Sequence, residues 1–170
     1  MAVIVMADDG IAFDGDSLMR GPLGGAETAF ISLAEAFAAR GHHVTIYNRC
    51  GAPMTRYGVA WEPLEKGLPD HANLYIANRG DRLIPQVPNA VSRVFWLHNP
   101  AGYLKKWRYL SKLWRWRPAI VFSSHFHARS FPGWAPSGDQ VTIPYGISSA
   151  FLDTDPPRDP PPPRVAFTSS

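Results

Sequence analysis

The sequence has almost no cysteine and no long apolar run. Cys50 is the only cysteine among 170 residues, which excludes an internal disulfide and a zinc site with several thiolate ligands. No stretch reaches the roughly 18 apolar residues that span a bilayer, and the apolar run at residues 2–7 is too short for a signal peptide. We therefore expect a cytoplasmic protein that meets a membrane only peripherally, on its inner face.

Acidic residues are missing from residues 105–117, which contain six lysines and arginines. The whole chain carries 17 basic and 14 acidic residues, so acidic residues outnumber basic ones outside this segment. A protein that coats nucleic acid spreads its positive charge more widely, and we expect no nucleic-acid partner. The positive charge is instead concentrated in one segment, which indicates a single basic patch.

Apolar runs alternate with amphipathic segments along most of the chain. Residues 2–6 and 43–47 are typical of buried strands, and the segment between them has a helical periodicity that ends at Arg40 and Gly41. Five further strands are predicted, at residues 59–61, 73–77, 92–97, 119–122 and 140–143. This alternation predicts an α/β fold, namely a Rossmann-like open parallel sheet with helices on both faces.

Ligands of such a sheet bind beyond the carboxyl ends of the strands, so the loops that follow the strands are the predicted binding segments. These loops are residues 8–25, 78–82, 98–102 and 123–125. The first ends in Gly24 and Gly25, where the N–H groups of the next helix attract a phosphate, although a merely flexible loop has the same composition. The glycine spacing does not match the dinucleotide fingerprint, and Asn48 and Arg49 stand where that fingerprint needs an acid, so an NAD site is disfavoured.

His98 directly follows a predicted strand at this edge and is the candidate for chemistry. An imidazole in that position binds a hydroxyl or a phosphate near neutral pH, although a purely structural histidine is the alternative. Ser124, which follows another strand, is a predicted helix N-cap. The histidine pairs at residues 42–43 and at residues 125 and 127 lack the spacing of metal ligands, so we expect no metal site.

Helical spacing predicts one amphipathic helix over residues 102–117. It places an apolar stripe on one side, made of Tyr103, Trp107, Leu110 and Trp114. It places a basic set on the other side, made of Lys105, Arg108, Lys112 and Arg115. A core-packed helix with a solvated basic face explains the stripe, whereas an anionic membrane or acceptor also explains the missing acids and the interleaved aromatics. Both interpretations remain open from the sequence.

Several motifs follow one another in a fixed order. They are Gly24-Gly25-Ala26-Glu27 at a helix start, Arg40-Gly41-His42 at its end, His98, Ser123-Ser124, and the turn at residues 143–147. In this order they resemble the N-terminal half of a GT-B glycosyltransferase of family 4, over about residues 1–151. Two positions depart from the family pattern, since Tyr145 stands in place of an asparagine and Ser148 in place of an acid.

The resemblance implies an enzyme that moves a sugar from a nucleotide-sugar to a lipid or glycan acceptor with retention of configuration. The nucleotide-sugar is a substrate, and no metal or other cofactor is expected. By the same resemblance His98 is the catalytic candidate, which hydrogen-bonds the transferred sugar. Candidates for the donor phosphate or the acceptor are Gly24, Gly25, Asn99 and Ser124. Candidates for an anionic membrane or acceptor are Lys105, Arg108, Lys112 and Arg115.

The resemblance also implies a division of the chain into domains. We expect an acceptor-binding domain at residues 1–152, a proline-rich linker at 153–164, and the start of a donor-binding domain at 165–170. Without the donor-binding half and its pair of glutamates, we expect no transfer by these residues alone. The alternatives are a non-catalytic module that binds anionic membranes or glycans through the basic aromatic helix, and a different nucleotide-dependent enzyme on the same kind of sheet.

Overall fold

The computed structural model describes residues 1–146, and the predicted linker and second domain lie outside them. In chain order the elements are β1 (Val3–Asp8), α1 (Ser17–Arg20), α2 (Gly25–Ala39), β2 (His43–Asn48), β3 (Met54–Arg56), β4 (Val59–Pro63), β5 (His71–Asn78), β6 (Asn89–Trp96), α3 (Trp107–Trp116), β7 (Ala119–Phe122), α4 (His125–Arg129) and β8 (Gln140–Thr142). Short 3-10 turns lie at Leu64–Lys66 and Ala101–Lys105.

The strands form one sheet in the order β3-β4-β2-β1-β5-β6-β7-β8. All neighbours are parallel except β3 and β4, which are antiparallel. The predicted α/β fold class is therefore confirmed, as is the first strand–helix–strand unit, in which Val3 pairs with His43. Neither β3 nor α1 is predicted from the sequence, because three or four residues are too few to show a period.

Helices cover the two faces of the sheet with separate apolar clusters. On one face α2 contributes the buried side chains of Phe30, Ile31 and Ala34. On the other face α3 contributes Tyr109 and Leu113. Burial of each large apolar side chain stabilises the fold by about 1.5–3 kcal/mol, so these contacts fix how α2 and α3 lie against the strands.

The predicted continuous helix over residues 102–117 is wrong in its first part. Residues Ala101–Lys105 form a 3-10 turn, and Lys106 is extended with φ −68° and ψ 136° before α3 begins. This break interrupts the helical phase, so Tyr103 does not continue the face that begins at Trp107. At the other end Arg117 adopts a left-handed conformation with φ 40°, which ends α3 before Pro118.

The apolar stripe of α3 does not pack in the core, which is what one of the two open interpretations required. The exposed fractions of Trp107 and Trp114 are 79% and 69%. The buried positions are instead Tyr109 and Leu113, four residues apart on the opposite side of the helix. Helical spacing groups residues into faces, but two faces of this helix carry aromatic side chains and spacing alone did not identify the buried one.

Candidate active site

Three neighbouring strands bring polar side chains to one edge of the sheet. Asp8 is the last residue of β1 and Asn78 the last residue of β5, and the two residues are register partners. Asn78 is also paired with Trp96 at the end of β6, and His98 follows two residues later. Because parallel strands end at a common edge, residues that are far apart in sequence become neighbours here.

His98 is the outermost member of a hydrogen-bonded chain of side chains. Its Nε2 lies 2.6 Å from Oδ1 of Asn78. The amide nitrogen of Asn78 in turn donates to Oδ2 of Asp8. Asp8 and Asn78 are almost fully buried, so this chain anchors the imidazole to the interior of the sheet.

Arg79 joins this chain to the N-terminus of α2. Its Nη2 lies 2.8 Å from Oδ2 of Asp8 and 2.8 Å from Oε1 of Glu27. Although burial opposes the charge, the carboxylates of Asp8 and Glu27 raise the pKa of the Arg79 guanidinium above its ordinary value. One cation thus compensates two buried carboxylates, and the backbone of Arg79 adopts a positive φ of 61° to place it there.

The two glycines at the start of α2 have different surroundings. A Cβ atom at Gly24 would come within 2.3 Å of Oε2 of Glu27, whereas one at Gly25 would meet nothing within 4 Å. The close approach of Gly24 therefore makes room for the Glu27 carboxylate beside Arg79. Gly25 lies open on the lining of a groove beside α2.

We expect Gly24→Ala to destabilise the fold by about 1–2 kcal/mol, because the added methyl displaces the Glu27 carboxylate from Arg79. The backbone angles of Gly24, φ −58° and ψ 150°, suit any residue, so no backbone strain adds to this cost. Gly25→Ala is the matched control and should change stability by less than about 0.5 kcal/mol. Urea unfolding of both variants measures the difference, and equal effects would contradict this explanation.

Tyr145 covers the free side of His98. Its hydroxyl is hydrogen-bonded to Nδ1 of His98, and the two rings are stacked with an interplanar angle of 6°. Burial, reinforced by the positive charge of Arg79, lowers the pKa of His98 to about 4. The imidazole is therefore neutral at pH 7, and its two nitrogens act as one donor and one acceptor.

An apolar groove of about 930 Å³ opens beside this site. It lies between α2 and residues 143–146, over the sheet face formed by β5, β6 and β7. Trp96 and Tyr145, which flank His98 on both sides, also line the groove. The groove and the hydrogen-bonded chain of His98 therefore share a boundary.

Asn99 and Ser124 are the other two predicted binding residues. Asn99 directly follows His98 in sequence, and Ser124 lies after β7 at the same edge of the sheet. Asn99 is exposed, and its backbone carbonyl accepts a hydrogen bond of 2.6 Å from Nε2 of His127. The hydroxyl of Ser124 accepts a hydrogen bond of 3.0 Å from the backbone N–H of His127, which confirms the predicted N-cap. The buried His127 thus ties the loop after β6 to α4, and sequence reasoning had not distinguished it from the exposed His125.

Two of the four residues in the predicted basic set contact a carboxylate of the described part of the chain, and the other two do not. Lys112 donates to Asp81 over 2.5 Å, and Nε of Arg108 lies 3.7 Å from the same carboxylate. Within residues 1–146, Lys105 and Arg115 have no carboxylate partner. The exposed surface of α3 therefore combines two tryptophans with partly compensated positive charge.

Four residues of the site have no role predicted from the sequence, namely Asp8, Asn78, Arg79 and Glu27. The available signal was polar residues at the carboxyl ends of two buried strands, since the strands containing Asp8 and Asn78 are otherwise apolar near their ends. The pairing with Arg79 required the tertiary fold. Within the described part of the chain, no group of three or more His, Cys, Asp or Glu side chains is arranged to hold a metal ion, and no helix is long and apolar enough to cross a membrane.

Comparison with curated proteins and with solved structures returned no match. The family model for Glycosyltransferase Family 4 matches residues 23–139, which is more than half of the chain. The matched segment runs from the glycines at the start of α2 to the residue before β8 and contains His98. The sheet and its helices are those expected for an N-terminal glycosyltransferase domain, and the chain therefore belongs to Glycosyltransferase Family 4.

Proposed function

We propose that the chain is the acceptor-side domain of a glycosyltransferase that uses a nucleotide-sugar donor and retains the anomeric configuration. The acceptor is a lipid or a glycan, the donor is a substrate rather than a cofactor, and no metal takes part. Family membership over residues 23–139 supports sugar transfer in general. The resemblance of the motifs to GT-B enzymes supports the finer assignment, in which a second half of the enzyme binds the donor.

The observation that carries this proposal is the position and state of His98. It lies beyond β6 at the carboxyl edge of a parallel sheet, where ligands of such sheets bind. Its lowered pKa, about 4, keeps it uncharged at pH 7. A neutral imidazole held in this way binds and orients a sugar hydroxyl, and it is too weak a base to remove a proton efficiently. Gly25, Asn99 and Ser124 lie on loops or helix starts at the same edge and complete the proposed binding surface.

We expect His98→Ala to lower kcat/KM for sugar transfer by about 100-fold in the protein that carries both halves, because an oriented hydrogen bond to the reacting sugar is lost. His125→Ala is the matched control, since His125 is an exposed histidine on α4. Transfer of labelled sugar from a panel of nucleotide-sugars to extracted lipids and glycans measures the effect, together with urea unfolding. If the loss of unfolding free energy fully explains the fall in kcat/KM, His98 has only a structural role.

The exposed surface of α3 supports a second candidate function, docking on an anionic membrane. Trp107 and Trp114 are seven residues apart and both face solvent, beside Arg108 and Arg115. Tryptophan favours the interface between water and lipid, and each arginine near an anionic surface contributes about 1 kcal/mol. The same surface serves the enzyme if its acceptor is a lipid, and it serves a binding module if the chain has no transfer activity.

We expect the chain to sediment with vesicles of phosphatidylcholine and phosphatidylglycerol and not with phosphatidylcholine alone. Trp107→Ser combined with Trp114→Ser should lower binding about tenfold or more, because both anchoring side chains are removed. Arg115→Ser should weaken binding more than Lys112→Ser, because Asp81 already holds Lys112. Tyr57→Ala, which removes an exposed aromatic side chain at the β3–β4 turn, is the control. Unchanged binding by the double variant would remove α3 from the proposal.

A further inference from the structure

The orientation of the Asn78 amide is determined by its buried neighbours. Asp8 accepts hydrogen bonds from the backbone N–H of Gly10 over 2.8 Å and from Arg79 over 2.8 Å, as an ionised carboxylate does. A carboxylate in this state only accepts hydrogen bonds, so Asn78 must turn its NH2 group toward Asp8. The carbonyl oxygen Oδ1 of Asn78 therefore faces His98.

This orientation determines which nitrogen of His98 carries the proton. Oδ1 of Asn78 is an acceptor only, and the 2.6 Å contact with Nε2 of His98 requires that Nε2 donate. In the neutral ring Nδ1 then has no proton and presents a lone pair. The hydroxyl of Tyr145, which lies at Nδ1, must be the donor of that contact.

We propose that Asn78, oriented by Asp8, is a positioning residue that holds His98 in the Nε2–H tautomer, so that Nδ1 accepts a hydrogen bond from a substrate hydroxyl at the place that the Tyr145 hydroxyl fills in this structure. The part that concerns the substrate rests on the proposed function. The part that concerns the tautomer rests only on the contacts among these four side chains.

The chemical consequence is a preference of His98 for one class of group. A lone pair at Nδ1 attracts a hydroxyl, which donates, and it repels the oxygens of an ionised phosphate diester, which carry no proton and only accept. The sequence alone left both groups open as partners of His98. The geometry assigns to His98 a hydroxyl of the sugar or of the acceptor, and it leaves the phosphates of the donor to other residues.

Long-range ¹H–¹⁵N correlation spectra of the histidine rings test this proposal, because they report directly which ring nitrogen carries the proton. The His98 signals are identified by their absence from His98→Gln. At pH 7 we expect a protonated Nε2 and a lone-pair Nδ1, and we expect Asn78→Ala to produce a mixture of both tautomers. Dimethyl phosphate, an ionised diester whose oxygens only accept hydrogen bonds, should leave the Nδ1 signal unchanged.

Asn73→Ala is the matched control, since Asn73 lies on the same strand and its side chain accepts a hydrogen bond from the backbone of Val3. This variant should keep the Nε2–H tautomer of His98. A protonated Nδ1 in the unchanged protein overturns the proposal, even if Asn78→Ala does not fold. A pure Nε2–H tautomer in folded Asn78→Ala, or protonation of Nδ1 on addition of dimethyl phosphate, also overturns it. None of these results depends on sugar transfer, so the proposal and the proposed function fail separately.

Discussion

Arg79→Met should be among the most destabilising single substitutions in the described part of the chain, costing about 3 kcal/mol of unfolding free energy. The guanidinium lies 2.8 Å from a carboxylate oxygen of Asp8 and 2.8 Å from one of Glu27. Both carboxylates are almost fully buried, and their removal from water is offset only by this cation and a few N–H donors. Breaking a buried ion pair from one side leaves uncompensated charge, which costs about 3–5 kcal/mol. Arg79 itself is partly exposed, so the lower end of that range applies.

Urea unfolding of Arg79→Met at pH 7 provides the measurement, and the same substitution in an Asp8→Asn background tests its cause. If an uncompensated carboxylate is responsible, the loss of unfolding free energy caused by Arg79→Met should be smaller where the uncharged asparagine already replaces Asp8. Arg82→Met is the matched control, because Arg82 is an exposed arginine in the same loop. A loss that is the same in both backgrounds would contradict the electrostatic explanation and assign the effect to packing.

A second large effect concerns pH and His98. The unfolded chain takes up a proton on this side chain near its ordinary pKa of 6.5, whereas burial and the charge of Arg79 delay the same uptake in the folded protein to about pH 4. Between these values the unfolded state binds more protons, so stability is lost as the pH falls. At about 1.4 kcal/mol for each pH unit, the loss reaches roughly 3 kcal/mol at pH 4.

The variant His98→Gln separates the stability lost through protonation of His98 from the stability lost through protonation of carboxylates. Glutamine does not titrate, and its amide can still donate to Asn78. From pH 7 to pH 4, the original protein should therefore lose about 3 kcal/mol more unfolding free energy than the variant. The charged groups Arg79 and Glu27 and the second imidazole, His127, face the ring in both proteins, so their direct influence on stability largely cancels. Stability curves that run parallel over this pH range would mean that His98 titrates normally.

The sequence predicted the sheet well because its strands are strongly apolar. β7 was predicted with its exact bounds, and β1, β2, β5 and β6 within three residues at each end, since continuous burial leaves a clear signal. The order of the strands and the antiparallel β3 required the structure. The break at Lys106 and the exposure of Trp107 were not predicted, because both depend on how the helix packs on the sheet.

The candidate site was predictable only in part. The four loops at the carboxyl edge and His98 followed from the general rule for parallel sheets. The partners of His98 did not, because Asp8 and Asn78 are 70 residues apart in sequence and meet only through the pairing of β1 with β5. The role of Gly24 also depended on tertiary contacts, since nothing local indicates that its missing side chain makes room for Glu27.

Within residues 1–146, the sheet begins and ends with strands of only three residues, β3 and β8. Outer strands are where one molecule can add to another through exposed backbone groups, and short ones offer few such groups. This matters because the eight-stranded sheet is largely built from parallel pairs between distant segments, which form slowly during folding. The two short outer strands therefore leave few backbone groups through which one copy of the sheet could pair with another while the protein folds.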